Sequence, residues 1–172
     1  MTAEPNRPDE DLSGGRAIEQ LREIAKAADT AMFITQHEEF PLQARPMAVQ
    51  EVDEEGTLWF LSASDSDNNI DLERDPRVTL LIANPDRYQF LQLSGRATIH
   101  RDRGLIEKHW TPFAEAWFDG KDDPRVTVIA VHPEAGHYWT TENGKVVASV
   151  KMLLGAMGAN VSRPGVAGEL RM

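Results

Sequence analysis

Apolar positions along this chain change period several times, and each change marks an element. Ile18, Leu21, Ile24, Ala25 and Ala28 recur at helical spacing, which predicts an amphipathic helix over Gly15–Ala28. Thr30–Thr35, Leu42–Val52 and Thr57–Ser62 read as three strands. A polar loop, His37–Pro41, joins the first two, and Glu54-Glu55-Gly56 forms the turn before the third. Asn69–Arg74 fits a short helix stopped by Asp75-Pro76, because a residue before proline is pushed out of the helical region. Arg77–Ala83 is mostly consecutive apolar residues, the pattern expected of a strand buried on both faces. Asn84-Pro85-Asp86 is a turn. Tyr88–His100 is the longest strand, with Leu91, Leu93, Gly95, Ala97 and Ile99 directed to the core. Its other face is polar with Tyr88 and Phe90 at one end, as expected where a sheet meets a subunit or ligand. Gly95 in mid-strand predicts a bend or bulge.

Beyond it, Asp102 can cap a helix carrying Leu105, Ile106, His109 and Trp110. Pro112 ends that helix, and a second short one holds Phe113, Ala116, Trp117 and Phe118. Val126–Val131 and His137–Thr141 are the last strands, with Pro133–Gly136 between them. Val146, Val147, Val150, Leu153, Leu154 and Met157 mark a C-terminal amphipathic helix. The expected organisation is a disordered leader over 1–14, one domain over 15–158 and an irregular tail over 159–172. Six to seven mostly antiparallel strands with three to four marginal helices make the chain mainly β, a small barrel with flanking helices. A parallel α/β fold would need a helix after nearly every strand, and the first three strands lack them.

Composition narrows the function. At 172 residues, 41% hydrophobic and 27% charged, the chain suits one globular domain. No apolar run approaches the ~20 residues of a membrane span, and the start lacks a signal-peptide pattern, so the cytoplasm is the expected location and no membrane partner is expected. The absence of cysteine excludes disulfides and thiolate chemistry. A net charge of −10 argues against a nucleic-acid partner, whose phosphates it would repel. The five histidines form no metal-binding spacing, so no metal is expected. No nucleophile-elbow, dinucleotide or P-loop motif occurs.

Three groups remain as candidate chemistry. Arg45 precedes Pro46 in a strand, so its guanidinium is held on an extended, edge-like segment where it could fork onto a phosphate or hydroxyl. A plain surface arginine is the simpler reading of that spacing. Ser62, Ser64 and Ser66 supply hydroxyls ahead of a helix N-terminus, the place where anions bind, although an ordinary capping cluster is the simpler reading. Trp110, Trp117, Phe118, Tyr138 and Trp139 offer flat apolar walls, or simply core and subunit contacts.

Taken in order, several segments resemble the general stress protein subgroup of the pyridoxamine 5'-phosphate oxidase-like family. They are Ala31–Thr35, Arg45-Pro46-Met47, Gly56–Ser62, Asp75–Val78, Leu93–Ala97, Trp110 with Trp117-Phe118, Asp123-Pro124, and Tyr138-Trp139. The resemblance implies an FMN-binding split barrel, a homodimer with the flavin in clefts between subunits. It implies that Arg45 approaches the FMN phosphate or ribityl chain and that Pro46 and Met47 line the ring. It places Phe60, Leu61 and Ser62 beside the ribityl and phosphate, Ser66 and Asn68 in the phosphate turn, and Tyr138 or Trp139 against the ring. Relatives vary in cofactor, which extends the range to a deazaflavin.

One departure stands out. Relatives of this subgroup typically carry a lysine two residues after the serine of the phosphate turn, where this chain has Asn68, preceded by Asp67. Residues 65–75 hold five carboxylates against one arginine, so FMN binding is expected to be weakened. The acidic chain shows no basic pocket for a substrate phosphate, so authentic pyridoxamine-phosphate oxidase activity is not expected. Two functions follow: a flavin-dependent redox protein or flavin carrier, or a dimeric split barrel that has lost FMN and serves as a binding protein.

Overall fold

The computed structural model describes residues 11–141 and 166–172. Nine strands and three α-helices make up this part, in the order β1 (Leu12–Ser13), α1 (Gly15–Ala28), β2 (Thr30–Ile34), β3 (Ala44–Ala48), β4 (Glu51–Val52), β5 (Leu58–Ala63), α2 (Asp67–Arg74), β6 (Arg77–Asn84), β7 (Gln89–His100), α3 (Arg103–His109), β8 (Val126–Thr140) and β9 (Val166–Arg171). A 3-10 turn over Pro112–Ala116 follows α3.

The strands form one sheet in the order β1-β9-β8-β7-β6-β2-β3, antiparallel except for the β1–β9 pair. β8 divides it. Residues 126–131 of β8 pair with β5, and residues 135–140 pair with β9 on the same edge, while β7 runs along the other edge throughout. The result is a split, unclosed barrel, with α2 spanning between β5 and β3. Its core gathers Leu21 and Ile24 of α1, Phe33, Phe60, Leu80, Leu91, Leu93 and Leu170. Phe33 and Phe60 meet edge to face at 5.4 Å between ring centroids, the geometry that ring quadrupoles favour.

The expected bounds of α1 hold, and the helix buries Ala17, Leu21, Ile24 and Ala25 as its apolar spacing requires. Two strand expectations change. β6 alternates buried and exposed residues and leaves Leu81 41% exposed, so it is not buried on both faces. The strand with that property is β8, whose residues 126–131 are all buried because the barrel core covers one face and the α3 flank the other. β8 also runs straight through Pro133–Gly136, where a break was expected. The proline is absorbed by a bulge: Ser94 pairs with Ala135 and Gly95 with Pro133, leaving Glu134 as the extra residue. Gly95 is required there, since a Cβ would lie 2.2 Å from the His132 carbonyl oxygen. Val166–Arg171, expected within an irregular tail, adds to the sheet as β9. The helix expected over Val146–Met157 lies outside the described residues.

Candidate functional site

β3, β5 and α2 converge, and Arg45 stands at the junction. Opposite Phe33 in the β2–β3 pair, its side chain turns toward the barrel interior and α2. Its Nη1 donates to Asn68 Oδ1 at 3.1 Å, to Thr35 Oγ1 at 3.2 Å and to Asp71 Oδ2 at 3.4 Å. Its Nη2 lies 3.7 Å from Asp67 Oδ2. The Asp71 side chain is only 4% exposed, against 26% for Arg45. A buried carboxylate needs all its lone pairs satisfied. Thr35 Oγ1 donates to Asp71 Oδ2 at 2.6 Å, and the Gln36 amide donates to Oδ1. Gln36 has a positive φ of 52°, which turns the chain sharply out of β2. Asn68 completes the network by donating to Met47 Sδ at 2.9 Å, tying β3 to the first turn of α2.

A second set of polar contacts opens α2. Ser66 caps the helix, its Oγ accepting from the Asn69 amide at 3.3 Å, and lies 3.0 Å from Ser62 Oγ. Buried Asn69 donates to Thr127 Oγ1 at 2.9 Å, and Thr127 donates to the Ser62 carbonyl at 3.1 Å. The hydroxyl cluster is therefore internally bonded, and α2's first turn is held to β5 and β8.

On the outer face of the sheet lies an apolar groove of about 430 Å³ lined by Met32, Leu81, Phe90, Gln92 and Trp139 among others. The groove runs from β2 across β6 and β7 to the end of β8, and Pro46 of β3 is the cross-strand neighbour of its Met32.

The sequence-expected residues thus separate into groups. Arg45, Met47 and Asn68 come together, Ser62 and Ser66 form the adjoining cap, and Pro46 and Trp139 belong to the grooved face. The Phe60 side chain is wholly buried against Phe33, which leaves its backbone to run beside a ligand. Leu61, one residue on, points the other way and packs with Ile106, Val126 and Val128 under α3. Tyr138 alternates with Trp139 and sits in the barrel core, 2% exposed, so Trp139 is the residue that can face a ring. Asp71 and Thr35 were not singled out as site residues. The spacing carries a signal, because Asp71 stands four residues after Asp67 and three after Asn68, the separations at which helical side chains are neighbours.

A separate cluster lies under α3. Trp59 stacks on His109 at 4.8 Å, and its Nε1 donates to Asp53 Oδ2 at 2.9 Å. Burial depresses the His109 pKa, the Lys108 charge adds to that, and Glu51 and Asp53 oppose it, so the imidazole is neutral at neutral pH. Burial alone would raise the Asp53 carboxyl, but bonds from Trp59 and the Thr57 and Glu55 amides outweigh it and hold it below the ordinary range. Trp110 and Phe118 pack into the same satellite core, while Trp117 stays exposed. Among the described residues, no group of three or more His, Asp or Glu is placed to hold a metal ion. No helix there is long and apolar enough to cross a membrane.

Comparison with known proteins settles the family. A profile described as pyridoxamine 5'-phosphate oxidase like matches residues 16–161. The chain belongs to the pyridoxamine 5'-phosphate oxidase-like family. Within the family, it is 31% identical over 141 residues to protein bli-3 of Neurospora crassa, covering 76% of this chain and 66% of that protein. It is 29% identical over 83 residues to general stress protein 26 of Bacillus subtilis, covering 45% of this chain and 58% of that one. The chain therefore spans less than two thirds of each relative's length, 66% of the first and 58% of the second. Among solved structures, a Jannaschia protein provisionally assigned as general stress protein 26 superposes with a TM-score of 0.76 at 19% identity, over 92% of this chain and all of that one (100%). The general stress FMN/FAD binding protein of Xanthomonas citri gives 0.63 at 23% identity, over 74% of this chain and 92% of that one. Likenesses at this identity establish the split-barrel fold.

Proposed function

We infer that the protein is a flavin-binding split-barrel protein of the general stress type, a flavin-dependent redox protein or flavin carrier that works as a homodimer. The observation that carries this reading is the placement of β3. One strand sets Pro46 opposite Met32, which lines the apolar groove, and turns Arg45 to the other face, into the polar seat at α2. A groove of about 430 Å³ falls in the size range of small-molecule sites. Met32, Leu81, Phe90 and Trp139 offer flat apolar walls for an isoalloxazine ring, and Gln92 a polar group for its edge. The fit is uneven: the groove suits the ring, whereas the guanidinium that would meet a phosphate already holds a carboxylate. Kinship makes FMN the first choice, with a deazaflavin as the variant, and the name of the Xanthomonas citri neighbour supports a flavin. When bound, the flavin supplies hydride and single-electron chemistry, and this chain's residues bind and orient it.

Purified protein is expected to absorb in the flavin bands, or to take up flavin with quenching of fluorescence, and mass analysis of the released ligand would identify it. The internally satisfied Arg45 network favours a second reading, a split barrel that has lost the flavin and binds another partner. Colourless protein that quenches no flavin would sink the first reading and leave the second.

The homodimer rests on the same outer face. Met32, Leu81 and Phe90 are each more than a third exposed and lie across three adjacent strands, an apolar strip that a second subunit could cover. Leu81→Glu is expected to shift the dimer to monomer at micromolar concentration in sedimentation, with the fold retained because the residue already faces outward. A wild-type protein that sediments only as monomer would overturn it.

A further inference from the structure

Asp71 converts the arginine of this site from a phosphate ligand into half of an internal ion pair. We propose that Asp71, assisted by Asp67, makes the site select a flavin whose side chain ends in an uncharged hydroxyl over one that ends in a phosphate. The inference rests on the flavin reading above and deepens it.

The charge arrangement carries the argument. Three acceptors crowd Arg45 Nη1, from Asn68, Thr35 and Asp71, and the Asp67 carboxylate lies 3.7 Å from Nη2. One positive charge therefore faces two negative ones. A phosphate monoester would add about 1.5–2 further negative charges at neutral pH. To bind Arg45 it must draw the guanidinium from Asp71, whose side chain is 4% exposed and cannot turn to water instead. Asn68, buried and bonded to Met47 and Arg45, brings no charge to offset this. The helix N-terminus offers a phosphate less than usual, because Ser66 already takes the Asn69 amide and the Asp67 carboxylate occupies the first turn. A hydroxyl escapes all these costs. It can donate to the exposed Asp67 carboxylate or share the Ser62–Ser66 hydroxyls without parting Arg45 from Asp71.

The test is the ratio of FMN to riboflavin affinity, in which the common ring contribution cancels. Fluorescence titration of the full chain with each flavin is expected to give riboflavin binding at least as tight as FMN. Asp71→Asn keeps the side chain's size and its reach to Thr35 and Gln36, and frees Arg45. It is expected to move the ratio about tenfold toward FMN. Asp67→Asn is 76% exposed and cannot disturb the fold, so it serves as the second variant, with an expected shift of about threefold that shrinks in high salt. Tighter wild-type binding of FMN than of riboflavin overturns the proposal, as does a ratio that neither substitution moves. Should neither flavin bind wild type or variants, the flavin reading itself fails and the proposal with it.

Discussion

Phe60→Ala is expected to cost about 3–5 kcal/mol of folding stability, the range for removing a large ring from a packed core. The ring is fully buried at the centre of the barrel, edge-on to Phe33. No movement of β5 can refill the gap cheaply, because β5 is paired to β4 on one side and β8 on the other. Denaturant unfolding of wild type and variant checks the figure, with flavin uptake measured in parallel. A side chain standing in the ligand cleft would give the opposite signature, weak binding with nearly unchanged stability. That result would return Phe60 to the site and displace the assignment of the ring seat to the outer groove.

How far the chain could be read follows from which interactions are local. The helix Gly15–Ala28, the Asp102 cap and the inward face of β7 were legible because each depends on residues a turn or a pleat apart. The bulge at Gly95 was legible too, since glycine in mid-strand has few other uses. The continuity of β8 was not, because Pro133 is tolerated only where another strand, distant in sequence, supplies Gly95 opposite it. The pairing of Val166–Arg171 with β8 is likewise set by distant contacts, and its two glycine-flanked apolar residues carry little pattern of their own. At the site, the alternation that sends Tyr138 inward and Trp139 outward was a matter of register, fixed by Leu91 and Phe90 across the strand pair. Arg45 was found from its proline neighbour, but its partner was not, because Asp71 lies on a different element. An isolated acidic count over residues 65–75 records charge without saying which carboxylate is buried.

Arg45→Met is expected to destabilise the fold by about 2–3 kcal/mol. Removing one partner of a fully buried ion pair typically costs about 3–5 kcal/mol, since the other charge is left without compensation. Arg45 is 26% exposed, so water entering its place softens the loss. Asp71 remains bonded to Thr35 and Gln36, which orient the carboxylate but do not neutralise it. Methionine fills the aliphatic volume of the arginine, so the measured loss reports charge and hydrogen bonding more than packing. Adding Asp71→Asn to the same chain removes the uncompensated charge and is expected to recover at least ~1 kcal/mol, a coupling that a double-mutant cycle reads directly. A surface arginine aimed at solvent would behave differently: the single substitution would cost less than ~0.5 kcal/mol and the cycle would show no coupling. That outcome would free the guanidinium for a phosphate, and the preference for an uncharged flavin terminus would lose its physical basis.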